Sequence, residues 1–202
     1  RSNVLNKEIT FENLLEFGQN CSQSSVMKVA ANSCHYDKYD KGLFLSEHRR
    51  CYNEIIEYCN RLVYNGKLKA CRGVGEKDKN YPLSNLPHMG YKNIEVKNSD
   101  KKGCSRINSK EAEEIAKWLS INYKQIANLY KEKDVNIKDN EIIAIITPFK
   151  AQVRILKEKL KIYLNDDAKN IDVGTVHTFQ GAERKVIILS TVYGASDGCF
   201  FI

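Results

Sequence analysis

Thr175, His177, Gln180, Gly181 and Glu183 crowd into one short polar turn. Two apolar segments, residues 171–176 and 185–192, flank the turn and read as strands. A strand that stops at a cluster of hydrogen-bonding side chains has the form of a ligand site at the carboxyl end of a sheet. Taken singly, these residues say less. A lone histidine such as His177 is more often structural than a ligand. Glu183 and Arg184 read equally as a local ion pair, which is worth little at a surface.

Gly174, Thr175, Val176, Phe179, Gln180, Gly181 and Glu183 meet the pattern Gly-Thr-Val-x-x-Phe-Gln-Gly-x-Glu. This resembles motif V of superfamily 1 helicases of the Upf-type branch. A second stretch begins Glu47-His48-Arg49-Arg50-Cys51 and is similar to motif IV of the same family. That motif runs Glu/Gln-His-Tyr-Arg-Cys-His-Pro, followed by an Ile-rich helix and Phe-Tyr-x-Gly. Glu47, His48, Arg50, Cys51, Ile55, Asn60, Tyr64 and Gly66 fit it, whereas Arg49, Tyr52 and Asn53 stand where Tyr, His and Pro are usual. A third stretch, Thr147-Pro148-Phe149-Lys150-Ala151-Gln152, resembles the family's Thr-Pro-Tyr-x-x-Gln element. The resemblance covers roughly residues 43–202, with a weakly matched middle at 67–135.

The resemblance assigns roles. Arg50 is implied to reach the γ-phosphate of ATP bound to a neighbouring domain, where a guanidinium neutralises charge on the transferred phosphoryl group. Arg49 carries no such implication. Gly181 and Glu183 are implied to face the nucleotide; a carboxylate accepts hydrogen bonds from ribose hydroxyls or holds a finger arginine. Thr147, Thr175 and His177 are implied to line a single strand of nucleic acid. Thr147 ends a strand, where its hydroxyl and the amides of the following helix start can hold a phosphate. Pro148 is explained by helix grammar alone. Lys150 and Gln152 read as exposed helix residues.

The elements that must position these groups follow from apolar spacing. Residues 142–146 form a continuous apolar run of the kind buried in parallel sheets. Phe149, Val153, Leu156, Leu160 and Leu164 mark an amphipathic helix after it. Strand, helix, strand in this order predicts right-handed crossovers and a parallel sheet. A longer helix starts at Asn108 or Ser109 and runs to about Tyr130, with Ala112, Ile115, Leu119, Tyr123, Ile126 and Tyr130 as its stripe. Residues 42–45 predict a short buried strand, 46–52 a turn, and 53–63 a helix with Ile55, Ile56, Cys59 and Leu62 inward. Residues 67–86 read as loop and 93–97 as a strand. Residues 1–35 read as two helical pieces, one marked by Phe11, Leu14 and Leu15 and the other by Val26, Val29 and Ala30, with caps in the Ser22–Ser25 stretch.

Composition bounds the class. Hydrophobic residues make up 42% of the chain and charged residues 28%, the balance of a globular protein. The net charge of +7 is concentrated: residues 61–110 hold 12 Lys+Arg against 4 Asp+Glu. Such a block either binds polyphosphate backbones or is a solvated loop. The 7 cysteines include no Cys-x-x-Cys pair, so neither a zinc site nor a disulfide framework follows. No signal peptide or membrane span is visible, and free thiols point to a cytoplasmic location.

Two absences shape the expected whole. There is no Gly-x-x-x-x-Gly-Lys-Ser/Thr loop, and no apolar strand ends in Asp-Glu to hold magnesium. Motif VI would follow Ile202. The expectation is therefore an α/β, three-layer RecA-like domain of the P-loop NTPase type, with a mainly parallel sheet. It would span residues 42–202, be preceded by a helical lead-in at 1–41, and carry a basic loop-rich segment at about 67–107. The implied parent is an ATP-dependent helicase acting on single-stranded DNA or RNA. Its first RecA-like domain would hold most of the ATP and Mg2+, this chain would bind no metal, and alone it would be inactive. The rival reading is a non-catalytic nucleic-acid-binding or protein-docking module that keeps the fold.

Overall fold

The computed structural model describes residues 12, 24–33, 44–78, 81–83 and 85–197. The chain divides into two compact units, residues 1–78 and 79–202. The expected helix around Phe11, Leu14 and Leu15 lies outside the described residues, as do Gly42 and Leu43.

In the first unit, α1 spans Val26–Ser33. Ser25 caps it: the Lys28 amide donates to the Ser25 hydroxyl at 3.3 Å and to its carbonyl at 2.9 Å. Strand β1 (Glu47–His48) pairs in parallel with β2 (Lys69–Ala70), and α2 (Asn53–Leu62) connects them. The strand therefore begins two residues after the expected 42–45 segment ends, and Leu45 is 88% exposed. Only part of the expected apolar face of α2 is buried: Ile56 and Asn60 face in, whereas Cys59 and Leu62 are exposed. Asn60 explains the shift. Its side-chain amide bonds the Leu68 carbonyl at 3.0 Å and the Leu68 amide at 2.9 Å. That two-way bond turns the chain back through Asn65 and Gly66, both with left-handed φ (51° and 73°).

In the second unit, β5 (Ile143–Thr147) is the central strand of a parallel sheet ordered β6–β5–β7, with β6 at Asp172–Thr175 and β7 at Val186–Leu189. Helix α3 covers Ser109–Lys133 and α4 Lys150–Leu164. One sheet face carries Ile143, Ile145, Val173, Val186 and Ile188, and packs with Leu119, Ile126, Leu156 and Leu160 of the two helices. The other face leaves Ile187 and Leu189 51% and 63% exposed. Helix α3 is capped as expected, the Asn108 Oδ1 accepting the Glu111 amide at 2.9 Å. The 93–97 segment is not a strand; instead the Val96 and Lys97 carbonyls accept the Ala195 and Ser196 amides. A hairpin follows that sequence periodicity does not reveal, β3 (Asp100–Lys102) with β4 (Ser105–Ile107), turning at Gly103 with φ 60°.

Helices α3 and α4 are also tied at their surface. Glu113 is 2.9 Å from Lys117, 3.0 Å from Lys159 and 2.9 Å from the Tyr163 hydroxyl. These donors, Lys117 foremost, hold its carboxyl at about 2 instead of 4.5. A depressed carboxyl stabilises the folded state above the unfolded value and loses that contribution as pH falls through the folded value. Stability of the chain should therefore drop between about pH 4.5 and 2, and Glu113→Gln should flatten that drop. Parallel pH–stability curves for the two proteins would refute the linkage.

Candidate functional site

Each unit holds one group of the residues singled out by sequence. In the first, a turn follows β1 directly. The His48 carbonyl accepts the Cys71 amide at 2.8 Å, which anchors the strand end. The His48 ring then folds forward: its Nε2 lies 3.1 Å from the Cys51 amide and 3.0 Å from the Cys51 Sγ. Burial pushes the Cys51 thiol up. Between these two residues lie Arg49 and Arg50, both exposed. Arg49 is drawn back to Glu47, its Nη2 at 2.7 Å from Oε2. That guanidinium holds the Glu47 carboxyl below its ordinary value.

The two other departures from the motif IV pattern fasten a loop. The Tyr52 hydroxyl donates to Asp78 at 2.8 Å, and Arg72 lies over the Tyr52 ring. The Asn53 amide donates to the Gly73 carbonyl at 3.0 Å, and its Oδ1 accepts the Gly73 amide at 3.1 Å. A proline there would lack both bonds, having neither the N–H nor the side-chain oxygen. The Glu54 carboxylate accepts the Gly75 amide at 2.8 Å.

In the second unit, the carboxyl ends of β5 and β6 meet. Thr147 and Thr175 are partners in register on adjacent strands. Thr147 is fully buried, and its Oγ1 accepts the Phe149 amide at 3.5 Å, so it serves the start of α4. Thr175 is half-buried, with its hydroxyl 3.2 Å from that of Thr178. His177 is exposed on the single 3-10 turn Val176–Phe179. Gly174 lets that turn fold back on its own strand: a Cβ there would lie 3.0 Å from both Thr178 Cβ and Phe179 Cε2. Gly181 follows with φ 82°, a conformation costly for other residues. Glu183 is exposed. Arg184 forms an ion pair with Asp172 at 2.6 Å, and its Nη1 donates to the Glu183 carbonyl at 2.7 Å. The sheet end thus gathers Thr147, Thr175 and His177, with Gly181 and Glu183 farther along the same loop.

Behind this edge lies a polar network that sequence reading does not reveal. Gln152 is fully buried, not exposed as expected. Its Oε1 accepts the Asn108 amide at 2.8 Å, and its Nε2 donates to the Asn108 carbonyl at 3.1 Å and to the Ser190 hydroxyl at 3.2 Å. The buried Glu111 carboxylate accepts the Thr191 and Val192 amides, each at 2.9 Å. Burial pushes the Glu111 carboxyl up, and these two amides oppose that shift. A buried polar group without partners is costly, so this network fixes the starts of α3 and α4 against the chain leaving β7. A signal was present: Glu111 and Gln152 fall on the apolar stripes of their helices, at helical spacing from Ile115 and Leu156.

A clip completes the unit. Asp197 accepts the Ser99 amide at 2.6 Å, the Gly194 amide at 2.8 Å and an Arg106 guanidinium bond at 2.8 Å. The Gly194 amide is foremost in holding its carboxyl well below the usual carboxylate range. Arg106 also covers the Tyr193 ring, which meets Phe149 edge-on.

The AAA domain family matches residues 23–199. The chain belongs to that family. Its relatives include a protein named putative helicase mov-10-B.2 from Danio rerio, 31% identical over 71% of this chain. RNA helicase Mov10l1 from Homo sapiens is 30% identical over 76% of the chain. An uncharacterized ATP-dependent helicase, MJ0104 from Methanocaldococcus jannaschii, is 32% identical over 71%. The matched part spans only 15%, 12% and 21% of these proteins' own lengths. Among the described residues of this AAA domain, no group of three or more His, Cys, Asp or Glu is placed to hold a metal ion. Among them, too, no helix is long and apolar enough to cross a membrane.

Proposed function

We propose that this AAA domain is the second RecA-like motor domain, with a three-layer fold, of an ATP-dependent superfamily 1 helicase acting on single-stranded DNA or RNA. The observation that carries the reading is the in-register pair Thr147–Thr175, with the His177 turn directly beyond it. Helicase-named relatives support it. In this reading the first motor domain of the same polypeptide holds most of the ATP and Mg2+. An exposed guanidinium on a closed turn suits the triphosphate's charge, so Arg50 completes the hydrolytic site. Gly181 and Glu183 face the nucleotide. When the domains close, the edge bearing Thr175 and His177 shifts along the strand and hydrolysis becomes movement. Thr147 supports that edge from beneath, in keeping with its burial.

Interactions of this kind are with the nucleic-acid backbone and carry little sequence preference. In the full-length parent, replacing Thr175 and His177 by Ala should weaken single-strand binding and uncouple ATP hydrolysis from nucleic acid. Replacing Lys101 and Lys102, exposed on the β3–β4 hairpin, should instead flatten the salt dependence, by about 0.7 in log–log slope for each phosphate no longer neutralised. A Thr175/His177 variant that binds and is stimulated like the parent would show that the track runs elsewhere.

A further inference from the structure

We infer that His48 is the positioning residue for Arg50, through a ring-to-backbone latch that closes the arginine's turn. The inference rests on reading Arg50 as the finger. A backbone N–H can only donate, so the Nε2 that receives the Cys51 amide at 3.1 Å carries no proton. In that tautomer Nδ1 carries the ring proton, and the Cys51 Sγ lies 3.0 Å from the same Nε2. The bond spans only Arg49 and Arg50. Upstream, the His48 main chain is fixed by the β1–β2 pairing and the Cys71 amide. Downstream, the Tyr52 carbonyl accepts the Ile55 and Ile56 amides as α2 begins. The ring latch spans the stretch between these two anchors. Arg49 is held against Glu47, so the latch acts on the segment that presents Arg50.

A group that must meet developing charge loses effect steeply with misplacement, about 10²-fold for 1 Å. The latch supplies that placement without touching substrate. Loosening it should lower kcat and leave ATP binding alone, because a misplaced arginine weakens the transition state more than the ground state.

The experiment uses the full-length parent with saturating single-stranded nucleic acid. It compares His48→Ala, His48→Gln, Cys51→Ala and Arg50→Ala. In His48→Ala the Cys51 amide should exchange freely with deuterium, and kcat should fall about 10- to 100-fold with KM for ATP nearly unchanged. His48→Gln places an amide oxygen near the Nε2 position and should restore both protection and kcat. Cys51→Ala keeps the backbone donor and should stay within a few-fold of the parent. Unchanged exchange at Cys51 in His48→Ala overturns the latch. So does a parental kcat in His48→Ala while Arg50→Ala is inactive, and this outcome leaves the helicase reading standing. Failure of a folded His48→Gln to rescue also overturns it. If Arg50→Ala itself keeps the parental kcat, the finger reading falls and the positioning role falls with it.

Discussion

Replacing Arg50 by alanine in the full-length parent should lower kcat for nucleic-acid-stimulated ATP hydrolysis by about 10³-fold or more. The side chain is exposed on a turn closed at both ends, so its loss removes charge without opening a cavity. ATP affinity should change little, since the arginine acts on charge that develops during transfer. Arg49→Ala is the matched control. Its guanidinium is held by Glu47 at an exposed site, where such pairs contribute little. The comparison is a steady-state titration of ATP for both variants. A kcat within a few-fold of the parent for Arg50→Ala, or equal losses for both, would make Arg50 an ordinary surface cation.

Gly194→Ala should destabilise the chain by about 2–3 kcal/mol. A Cβ there would lie 2.6 Å from the Val96 carbonyl oxygen, 2.8 Å from the Asn98 amide nitrogen and 2.8 Å from the Lys97 carbonyl carbon. All three are backbone atoms, so no rotamer change relieves the overlap. The strand-like pairing between residues 96–99 and 194–197 must open, and with it the Asp197 clip. Gly174→Ala is the gentler comparison, because its neighbours are side-chain atoms of Thr178 and Phe179. Urea unfolding of the two variants reads the difference as a shift in midpoint at constant m. A Gly194→Ala shift under about 0.5 kcal/mol would mean that the segment relaxes at little cost.

The sheet is legible in the sequence because β5 and β7 are short, almost unbroken apolar runs and the helices have clear stripes. Ile143, Ile145, Leu119 and Leu156 all fall where periodicity puts them. The pairing of Thr147 with Thr175 follows from two strands ending in polar residues. Short-range polar bonding is harder to read. Gln152 reads as a solvated residue because it is polar, yet its amide both donates and accepts within the core. Strand β1 escapes a periodicity reading because two residues, one charged and one aromatic, carry no period at all. The β3–β4 hairpin escapes it because Asp100, Lys101 and Lys102 are all exposed and no apolar alternation survives. Asn60 turns the face of α2, and nothing in an Ile-rich stretch signals that a buried amide sets its rotation.

The Asp197 clip and the Glu111 carboxylate also set a schedule for a chain made from one end. Ser99 leaves the ribosome 98 residues ahead of the carboxylate that receives its amide. Glu111 precedes its two amide donors by 80 and 81 residues. At about 5–20 residues per second, these groups wait roughly 4–20 seconds for partners. During that interval helix α3 can form and pack its apolar stripe, but the acid at its first turn has only water to bind. A nascent chain halted before Thr191 therefore keeps the Glu111 carboxylate solvated, while the local Asn108 cap of α3 can already form. These contacts are gated by translation of residues 191–197 rather than by collapse of the core.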